Sequence, residues 1–335
     1  MNSIPLGTTG LSAPRIGFGC AALLGRTGRK DSLLALEAAW EAGVRFFDTA
    51  RMYGYGESEA LLGEFLRGRR QEAVIATKFG ILPAKQAAWK GVAKSAARSL
   101  LKLAPNMHKT LQKTAASQFT HGQFTVPVLQ QSIEESLRKL GTETVDMLFL
   151  HSAPASVLEQ QDLLDAMHRL VEQGKVRVAG LSGDPTTVAV ALERNPPELG
   201  AMQFPCNVFD ISAATVFPQI AGGAHALVAN HPFGGVARVG QTRAALASLA
   251  ASGKVPDAII EKLSSADDGL LADVVLNVIL RDTGIHVVIP AMMKPHHIQL
   301  NVEAVTHSRF TPEEIALIRR ELPAAARQRV PQQDS

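Results

Sequence analysis

The alternation of short apolar segments with amphipathic segments constrains the fold of this chain more than any other feature. Continuous apolar runs such as AVIAT, which begins at Ala73, are typical of parallel strands that are buried on both faces. Eight such segments occur, and helix-like patterns separate them. The predicted strands cover residues 15–20, 45–50, 73–78, 146–151, 176–182, 201–206, 226–231 and 286–292.

Strands that alternate with helices through a whole chain indicate one α/β unit with a parallel sheet. Eight strand–helix pairs predict a (β/α)8 TIM barrel, and 335 residues is an ordinary length for such a barrel with insertions. We therefore predict a single domain over residues 1–335. An N-terminal β-hairpin is expected within residues 4–13, at the bottom of the barrel, and a fraying tail over about residues 323–335.

Capping residues mark several of the predicted helices. Asp or Thr immediately before a helix accepts hydrogen bonds from its first backbone N–H groups, and glycine is favoured just beyond a helix end. The predicted N-caps are Asp31, Asp184 and Thr311, and the predicted ends are Gly43, Gly141 and Gly174.

A long basic insertion interrupts the barrel pattern over about residues 81–127, after the third strand. Seven Lys and Arg residues and no Asp or Glu lie between Ala84 and Val126. Its apolar residues share one helical face, with most of the cations off that face. This pattern leaves three interpretations open: a solvated helix face, a lid over the barrel mouth, or a surface that docks on a membrane or an acidic partner.

Composition argues against several classes of protein. A net charge of +3 gives no reason to expect nucleic-acid binding, and two cysteines do not make a disulfide framework. No apolar run is long enough for a spanning helix, and the chain opens without a signal-peptide pattern, so we expect a soluble cytoplasmic protein without stable membrane insertion. The neighbouring His296 and His297 and the scattered cysteines do not predict a metal site. Oligomeric state stays open.

Four ionisable residues lie at or just beyond the carboxyl ends of predicted strands. Asp48, Lys78 and His151 end or nearly end the second, third and fourth strands, and Tyr53 follows five residues after Asp48. Each alone has an ordinary explanation: a surface ion pair, a packed aromatic, an exposed lysine or a core histidine. Together at the end of a barrel where active sites are built, they predict a catalytic site.

These four side chains suit proton transfer to an oxygen that gains negative charge. A free tyrosine, with a pKa of about 10, is a poor acid–base group near neutrality, and a nearby ammonium lowers that pKa. Asp48 is expected to keep Lys78 charged and in place. His151 is expected to donate a hydrogen bond to the substrate oxygen and so align it.

The chain resembles the aldo-keto reductase family from residue 4 to about residue 322. The resemblance rests on FFDTARMYGYGESEALLGEFL, VIATKFG and DMLFLH, on the opening IPLGTTGLSAPRIGFGC, and on the later GLSG, MQFPCNVFD, ANHPFGG and VVIPAMMKPHHIQLNV. It implies a (β/α)8 oxidoreductase that moves hydride between C4 of NADP or NAD and a carbonyl or alcohol carbon of a small molecule. The implied catalytic tetrad is Asp48, Tyr53, Lys78 and His151, with Tyr53 as the general acid–base.

The same resemblance implies a set of cofactor-binding positions. Some depart from the family pattern: Gly183 replaces an asparagine, Asn230 replaces an aromatic residue, and Met292 and His297 replace a serine and an arginine that hold a 2′-phosphate. The preference between NADP and NAD is therefore open. The implied cofactor-binding residues are Gly19, Cys20, Asp48, Ser182, Gly183, Gln203, Asn230, Pro232, Phe233, Gly234, Pro290, Met292, Met293, Lys294, His297 and Asn301.

Two alternatives accompany this interpretation. Gly17 to Ala22 matches G-x-G-x-x-A, but a Rossmann fingerprint opens directly into a helix and here GRTGRK intervenes. A regulatory subunit that keeps the barrel and binds nucleotide, but acts through protein contacts, is the alternative function. The sequence leaves the substrate unspecified.

Overall fold

The computed structural model describes residues 1–83, 119–265 and 267–327. An eight-stranded sheet forms the centre, and every adjacent pair of its strands is parallel. A parallel bridge between Ile16 and Val288 joins its two edges and closes the barrel. The barrel strands are β3 (Gly17–Gly19), β4 (Phe46–Asp48), β5 (Val74–Phe79), β8 (Val145–His151), β9 (Val176–Ser182), β10 (Ala201–Pro205), β11 (Ala226–Asn230) and β12 (Val287–Ile289).

All eight predicted strands are confirmed, with ends that differ by at most three residues. Helices follow the strands and cover the outside of the barrel. In the part of the chain that the structure describes, they are α1 (Arg29–Glu41), α2 (Ser58–Phe65), α3 (Val126–Leu140), α4 (Gln161–Glu172), α5 (Pro185–Arg194), α6 (Ser212–Ala221), α7 (Val236–Ala250), α8 (Asp257–Leu263), α9 (Gly269–Leu280), α10 (Pro295–Thr306) and α11 (Pro312–Arg327). None of the described helices is both long and apolar enough to cross a bilayer.

The barrel wall separates two hydrophobic clusters. The larger cluster lies between the strands and the helices, and the smaller one fills the barrel interior with side chains such as Phe46, Met147 and Phe149. Because neighbouring residues of a strand face opposite sides, both clusters draw on the same strands. This arrangement explains why the strand sequences are continuously apolar.

A β-hairpin lies against the apolar end of the interior. It consists of β1 (Ser3–Pro5) and β2 (Ser12–Pro14), which pair antiparallel. Leu6 and Leu11 of the connecting turn are buried in the interior cluster. The hairpin therefore covers the bottom of the barrel, and the opposite end is the mouth, where the carboxyl ends of the strands meet.

Two helix boundaries differ from expectation. Helix α1 begins at Arg29 with Gly28 as its N-cap, so Asp31 lies in the first turn, where its charge still favours the helix dipole. The helix α11 continues through Pro323 to Arg327, because Leu322 and Ala325 are buried against the barrel. The predicted caps Asp184 and Thr311 are confirmed: each side chain accepts a hydrogen bond from a backbone N–H in the first turn.

Only the ends of the basic insertion belong to the described residues. There, β6 (Leu82–Pro83) pairs antiparallel with β7 (Phe119–Thr120). Residues 84–118, which include the seven cations and the predicted amphipathic helix, lie outside the described part of the chain. The three interpretations of the insertion therefore stay predictions.

The packing of α2 on α3 depends on a glycine. A Cβ atom at Gly63 would lie 2.5 Å from the Leu140 carbonyl oxygen, a backbone atom that cannot move aside cheaply. We expect Gly63→Ala to lower the free energy of unfolding by about 1–3 kcal/mol, the usual cost of overpacking, in urea titrations. The control is Gly240→Ala in α7, where no atom lies within 4 Å and the variant should be neutral or stabilising. Equal stabilities of the two variants would contradict the close helix contact.

Candidate active site

The last inward-facing residues of the barrel strands build the candidate site. Val74 and Ala76 of β5 point into the interior cluster, so alternation places Lys78 on the same side at the mouth. The same argument applies to five neighbouring strands. Together they form a polar layer above the apolar interior, made of Asp48, Lys78, His151, Ser182, Gln203 and Asn230.

A buried ion pair lies at the centre of this layer. Lys78 Nζ donates to Asp48 Oδ1 over 2.6 Å and to the Thr49 carbonyl oxygen over 2.9 Å. Burial lowers the pKa of Lys78, but the Asp48 carboxylate and the Tyr53 hydroxyl more than offset this, and the net pKa is raised. Lys78 is therefore charged at neutral pH although only 1% of its surface is exposed.

Tyr53 lies beside the ammonium, at the start of a tight turn over Tyr53–Gly56. Lys78 Nζ is 5.0 Å from the centre of the phenol ring. The turn needs Gly54, which has φ +58° and where a Cβ would lie 2.6 Å from the Leu23 carbonyl oxygen. Burial raises the pKa of Tyr53, and Lys78 lowers it by less, so the net pKa is above the usual value. Tyr53 is therefore protonated at neutral pH. The sequence indicated only the effect of Lys78, which lowers the pKa of Tyr53, and did not reveal the larger effect of burial.

His151 completes the group and also contacts Tyr53. The two rings meet edge to face, with centroids 5.9 Å apart. Burial, with smaller contributions from Lys78 and His121, lowers the pKa of His151 to about 3. The imidazole is therefore neutral, and its buried Nδ1 has no hydrogen-bond partner among the described residues. The structure thus brings all four predicted catalytic residues to one mouth.

Several predicted cofactor residues lie next to this group. Ser182 Oγ donates to Gln203 Oε1 over 2.8 Å, and Gln203 Nε2 donates to Asp48 Oδ1 over 2.8 Å. The Gly183 N–H donates to the Gln203 carbonyl oxygen over 3.1 Å. This buried hydroxyl and amide offer both a donor and an acceptor to a carboxamide, so they fit the nicotinamide end of the cofactor. The direct bond from Gln203 to Asp48 was not foreseen, because 155 residues separate the two.

The first and last barrel strands border the layer. The Gly19 N–H donates to the Pro290 carbonyl oxygen over 3.4 Å, and a Cβ at Gly19 would lie 3.2 Å from Ile289 Cγ2. Cys20 is fully buried, and burial raises its pKa. Its thiol is therefore protonated, and it donates to the Phe18 carbonyl oxygen over 3.8 Å.

After β11, the chain carries the residues predicted to face the pyrophosphate. Half-buried Asn230 accepts a hydrogen bond from His231 Nδ1, at 2.8 Å, if that ring nitrogen carries the proton. Pro232 is buried, Phe233 packs against the outer cluster, and Gly234 has φ +63°. The chain therefore turns sharply at the mouth before α7 begins.

The residues predicted near the 2′-phosphate divide into buried and exposed groups. Met292 is fully buried, and its sulfur accepts a hydrogen bond from Asn301 Nδ2 over 3.6 Å, so its side chain is not presented to a ligand. Met293 is half-buried. Lys294 and His297 are exposed at the N-terminus of α10, which has no side-chain cap. Burial and Lys294 lower the pKa of His297, so Lys294 is the cation of this pair. A helix N-terminus with one lysine and a nearby imidazole fits a phosphate group.

One buried carboxylate near the site was missed in the sequence. Glu59 in α2 has 1% of its surface exposed and receives hydrogen bonds from Thr77, Ser136 and Arg51. Its position three residues before Leu62 places it on the apolar face of the helix. This spacing in the sequence could have identified Glu59 as a buried carboxylate.

Comparison with known proteins assigns the chain to a family. The model of a family described as Aldo/keto reductase family matches residues 15–322, which is most of the chain. The chain belongs to the aldo/keto reductase family. This confirms the resemblance seen in the motifs.

Individual relatives are more distant. Pyridoxal 4-dehydrogenase from Microbacterium luteolum is 34% identical over 149 residues, which cover 44% of this chain and 42% of that protein. The chain spans about half the length of the curated relatives it matches. An aldo-keto reductase from Bacillus halodurans in its holo form has a TM-score of 0.68 at 20% identity and 99% coverage of both chains. An aldo/keto reductase from Klebsiella pneumoniae, in complex with NADP and acetate, has a TM-score of 0.62 at 21% identity, covering 98% of this chain and 96% of that one. These two structures share the fold.

The buried neutral imidazole predicts a pH-dependent stability. The pKa of His151 is about 3 in the folded protein and near 6.5 when exposed, so between these values the unfolded chain binds a proton that the folded chain does not. The free energy of unfolding therefore falls as pH decreases, by up to about 1.4 kcal/mol per pH unit from this residue. From about pH 7 to about pH 4.5, His151→Gln should lose about 2 kcal/mol less than the unsubstituted protein in urea titrations.

The control is His168→Gln, because His168 is exposed on α4. Its loss of stability on acidification should match that of the unsubstituted protein. If His151→Gln lost as much stability on acidification as His168→Gln and the unsubstituted protein, the imidazole of His151 would not be buried in its neutral form.

Proposed function

We propose that this protein is an NADP-dependent oxidoreductase that transfers hydride between nicotinamide C4 and a carbonyl or alcohol carbon of a small molecule. One observation carries the proposal: a protonated phenol, a buried ammonium and a neutral imidazole lie together at one barrel mouth. The hydroxyl and amide of Ser182 and Gln203 lie in the same polar layer. A relative that is a pyridoxal dehydrogenase and a structure with the same fold that holds NADP agree with this chemistry.

In the direction of reduction, Tyr53 is the proton donor. When bound, the cofactor supplies the hydride that adds to the carbonyl carbon. Negative charge then develops on the carbonyl oxygen, and Tyr53 gives its hydroxyl proton to that oxygen. Lys78 stabilises the phenolate that remains, and Asp48 keeps Lys78 charged and fixed.

His151 and the lower interior complete the site. A neutral imidazole donates a hydrogen bond to the carbonyl oxygen from its protonated ring nitrogen. Because it carries no extra proton, it does not replace Tyr53 as the proton donor. The apolar side chains beneath the polar layer exclude water from the ion pair. In alcohol oxidation the proton path is reversed, and the Tyr53 phenolate accepts the hydroxyl proton.

The two tyrosines of the chain provide a matched test. With NADPH and 4-nitrobenzaldehyde as the probe, Tyr53→Phe should lower kcat by about 10²–10⁴-fold, because the general acid is lost while the ring remains. NADPH affinity, measured by fluorescence, should be kept. The control is Tyr55→Phe, which retains the ring stacked on Phe119 and should leave kcat unchanged. NADPH binding without turnover of any carbonyl or alcohol would instead support a nucleotide-binding regulatory subunit.

The exposed lysine just before α10 gives a test of cofactor choice. We expect Lys294→Gln to weaken NADPH binding by about five- to tenfold, since one partner of the 2′-phosphate is lost, and to leave NADH binding unchanged. Lys175→Gln is the control, because Lys175 precedes β9 at the bottom of the barrel. Equal losses for NADPH and NADH, or no loss for either, would place the 2′-phosphate elsewhere.

A further inference from the structure

Glu59 forms a second buried polar centre, outside the barrel wall. Thr77 Oγ1 and Ser136 Oγ each donate to Glu59 Oε1 over 2.7 Å. Arg51 Nη1 donates to Glu59 Oε2 over 3.4 Å. Both hydroxyl donors are buried, and the Arg51 side chain is only 11% exposed. Four separate parts of the chain therefore meet at one carboxylate.

A carboxylate in this position is costly to the fold. Removing a charge from water costs several kcal/mol, and an ion pair repays this only with good geometry and additional hydrogen bonds. Apolar side chains of similar volume often stabilise such positions as well or better. Helix α2 packs its neighbours Leu61 and Leu62 into the outer cluster, so the site suits an apolar residue. Stability alone does not account for Glu59.

The positions of the residues that donate to Glu59 show which parts of the chain it connects. Thr77 immediately precedes Lys78, and Arg51 lies between Asp48 and Tyr53 in the loop that carries the phenol. The same loop is fixed to β5 by a backbone hydrogen bond from the Thr49 N–H to the Ala76 oxygen over 2.8 Å. Glu59 thus links the strand that carries the ammonium to the loop that carries the phenol.

We propose that Glu59 is a positioning residue that fixes the distance between the Tyr53 hydroxyl and the Lys78 ammonium. It touches neither substrate nor cofactor and acts through Thr77 and Arg51. This inference rests on the proposed function, because it assigns Glu59 a role in the proton transfer of that reaction.

Glu59→Gln tests the link with little change of shape. The amide keeps an acceptor for the hydroxyls but directs N–H groups at the Arg51 guanidinium. With NADPH and 4-nitrobenzaldehyde, kcat should fall about tenfold, whereas KM for the aldehyde and Kd for NADPH should change by less than about twofold. The control is Glu64→Gln in the same helix, because Glu64 is exposed and pairs with Arg29.

Two further comparisons separate positioning from stability. Ser136→Ala removes a donor to the same oxygen from α3, which carries no residue of the proposed site. It should lower the free energy of unfolding without the fall in kcat. Thr77→Val should lower kcat and Thr77→Ser should restore it, and this pair keeps the test available if Glu59→Gln does not fold. Equal losses of kcat in Glu59→Gln and Ser136→Ala would reduce Glu59 to a structural role.

Tyrosine NMR provides a readout that needs no turnover. The chain has two tyrosines, so labelling their Cζ atoms with ¹³C gives two resonances, and Tyr55→Phe assigns them. The Tyr53 resonance should shift in Glu59→Gln and stay in place in Glu64→Gln. If the unsubstituted protein reduces the aldehyde while Glu59→Gln keeps its kcat and its Tyr53 resonance, this inference alone fails. If the unsubstituted protein turns over no substrate, the proposed function fails, and the role of Glu59 in catalysis fails with it.

Discussion

The buried ion pair between Asp48 and Lys78 is the interaction on which the mouth of this barrel depends. A lysine with 1% of its surface exposed stays charged only with a carboxylate in contact, and Asp48 Oδ1 lies 2.6 Å from Nζ. The contact exists because β4 and β5 are neighbours in register, with Asp48 beside Ala76, one inward position below Lys78. Gln203, from a strand farther along the wall, donates to the same oxygen. Lys78, Asp48, Gln203 and Ser182 are therefore one connected network, and the phenol and imidazole lie against it.

The two ends of the barrel interior differ because the same alternation of side chains meets different neighbours. At the bottom, the hairpin residues Leu6 and Leu11 cover the strands, so the inward positions are apolar. At the mouth, no such cover is present among the described residues, and inward positions can be polar because they can face a ligand. Burial at this end remains deep enough to raise the pKa of Tyr53 and to lower that of His151. The site can therefore begin the reaction with a protonated acid and an uncharged donor.

The sequence predicts the barrel well and the site in part, for physical reasons. Continuous apolar runs locate strands to within a few residues, and strand ends place Asp48, Lys78 and His151 at the mouth without knowledge of any contact. The net direction of the Tyr53 pKa could not be predicted, since it depends on burial produced by distant parts of the chain. The bond from Gln203 to Asp48 joins residues far apart in sequence, and local patterns carry no signal for it.

The end of β5 is held by carboxylates on both faces of the barrel wall. Consecutive strand residues point to opposite sides, so Lys78 meets Asp48 inside, while Thr77 meets Glu59 outside. The chain from Asp48 to Glu59 runs from the inner carboxylate to the outer one, and Tyr53 lies within it. A loop that is fixed at both ends to one strand has already lost its conformational entropy on folding. Little further entropy is therefore lost when the Tyr53 phenol is positioned for proton transfer. The second carboxylate therefore has a reason to be buried that packing alone does not supply.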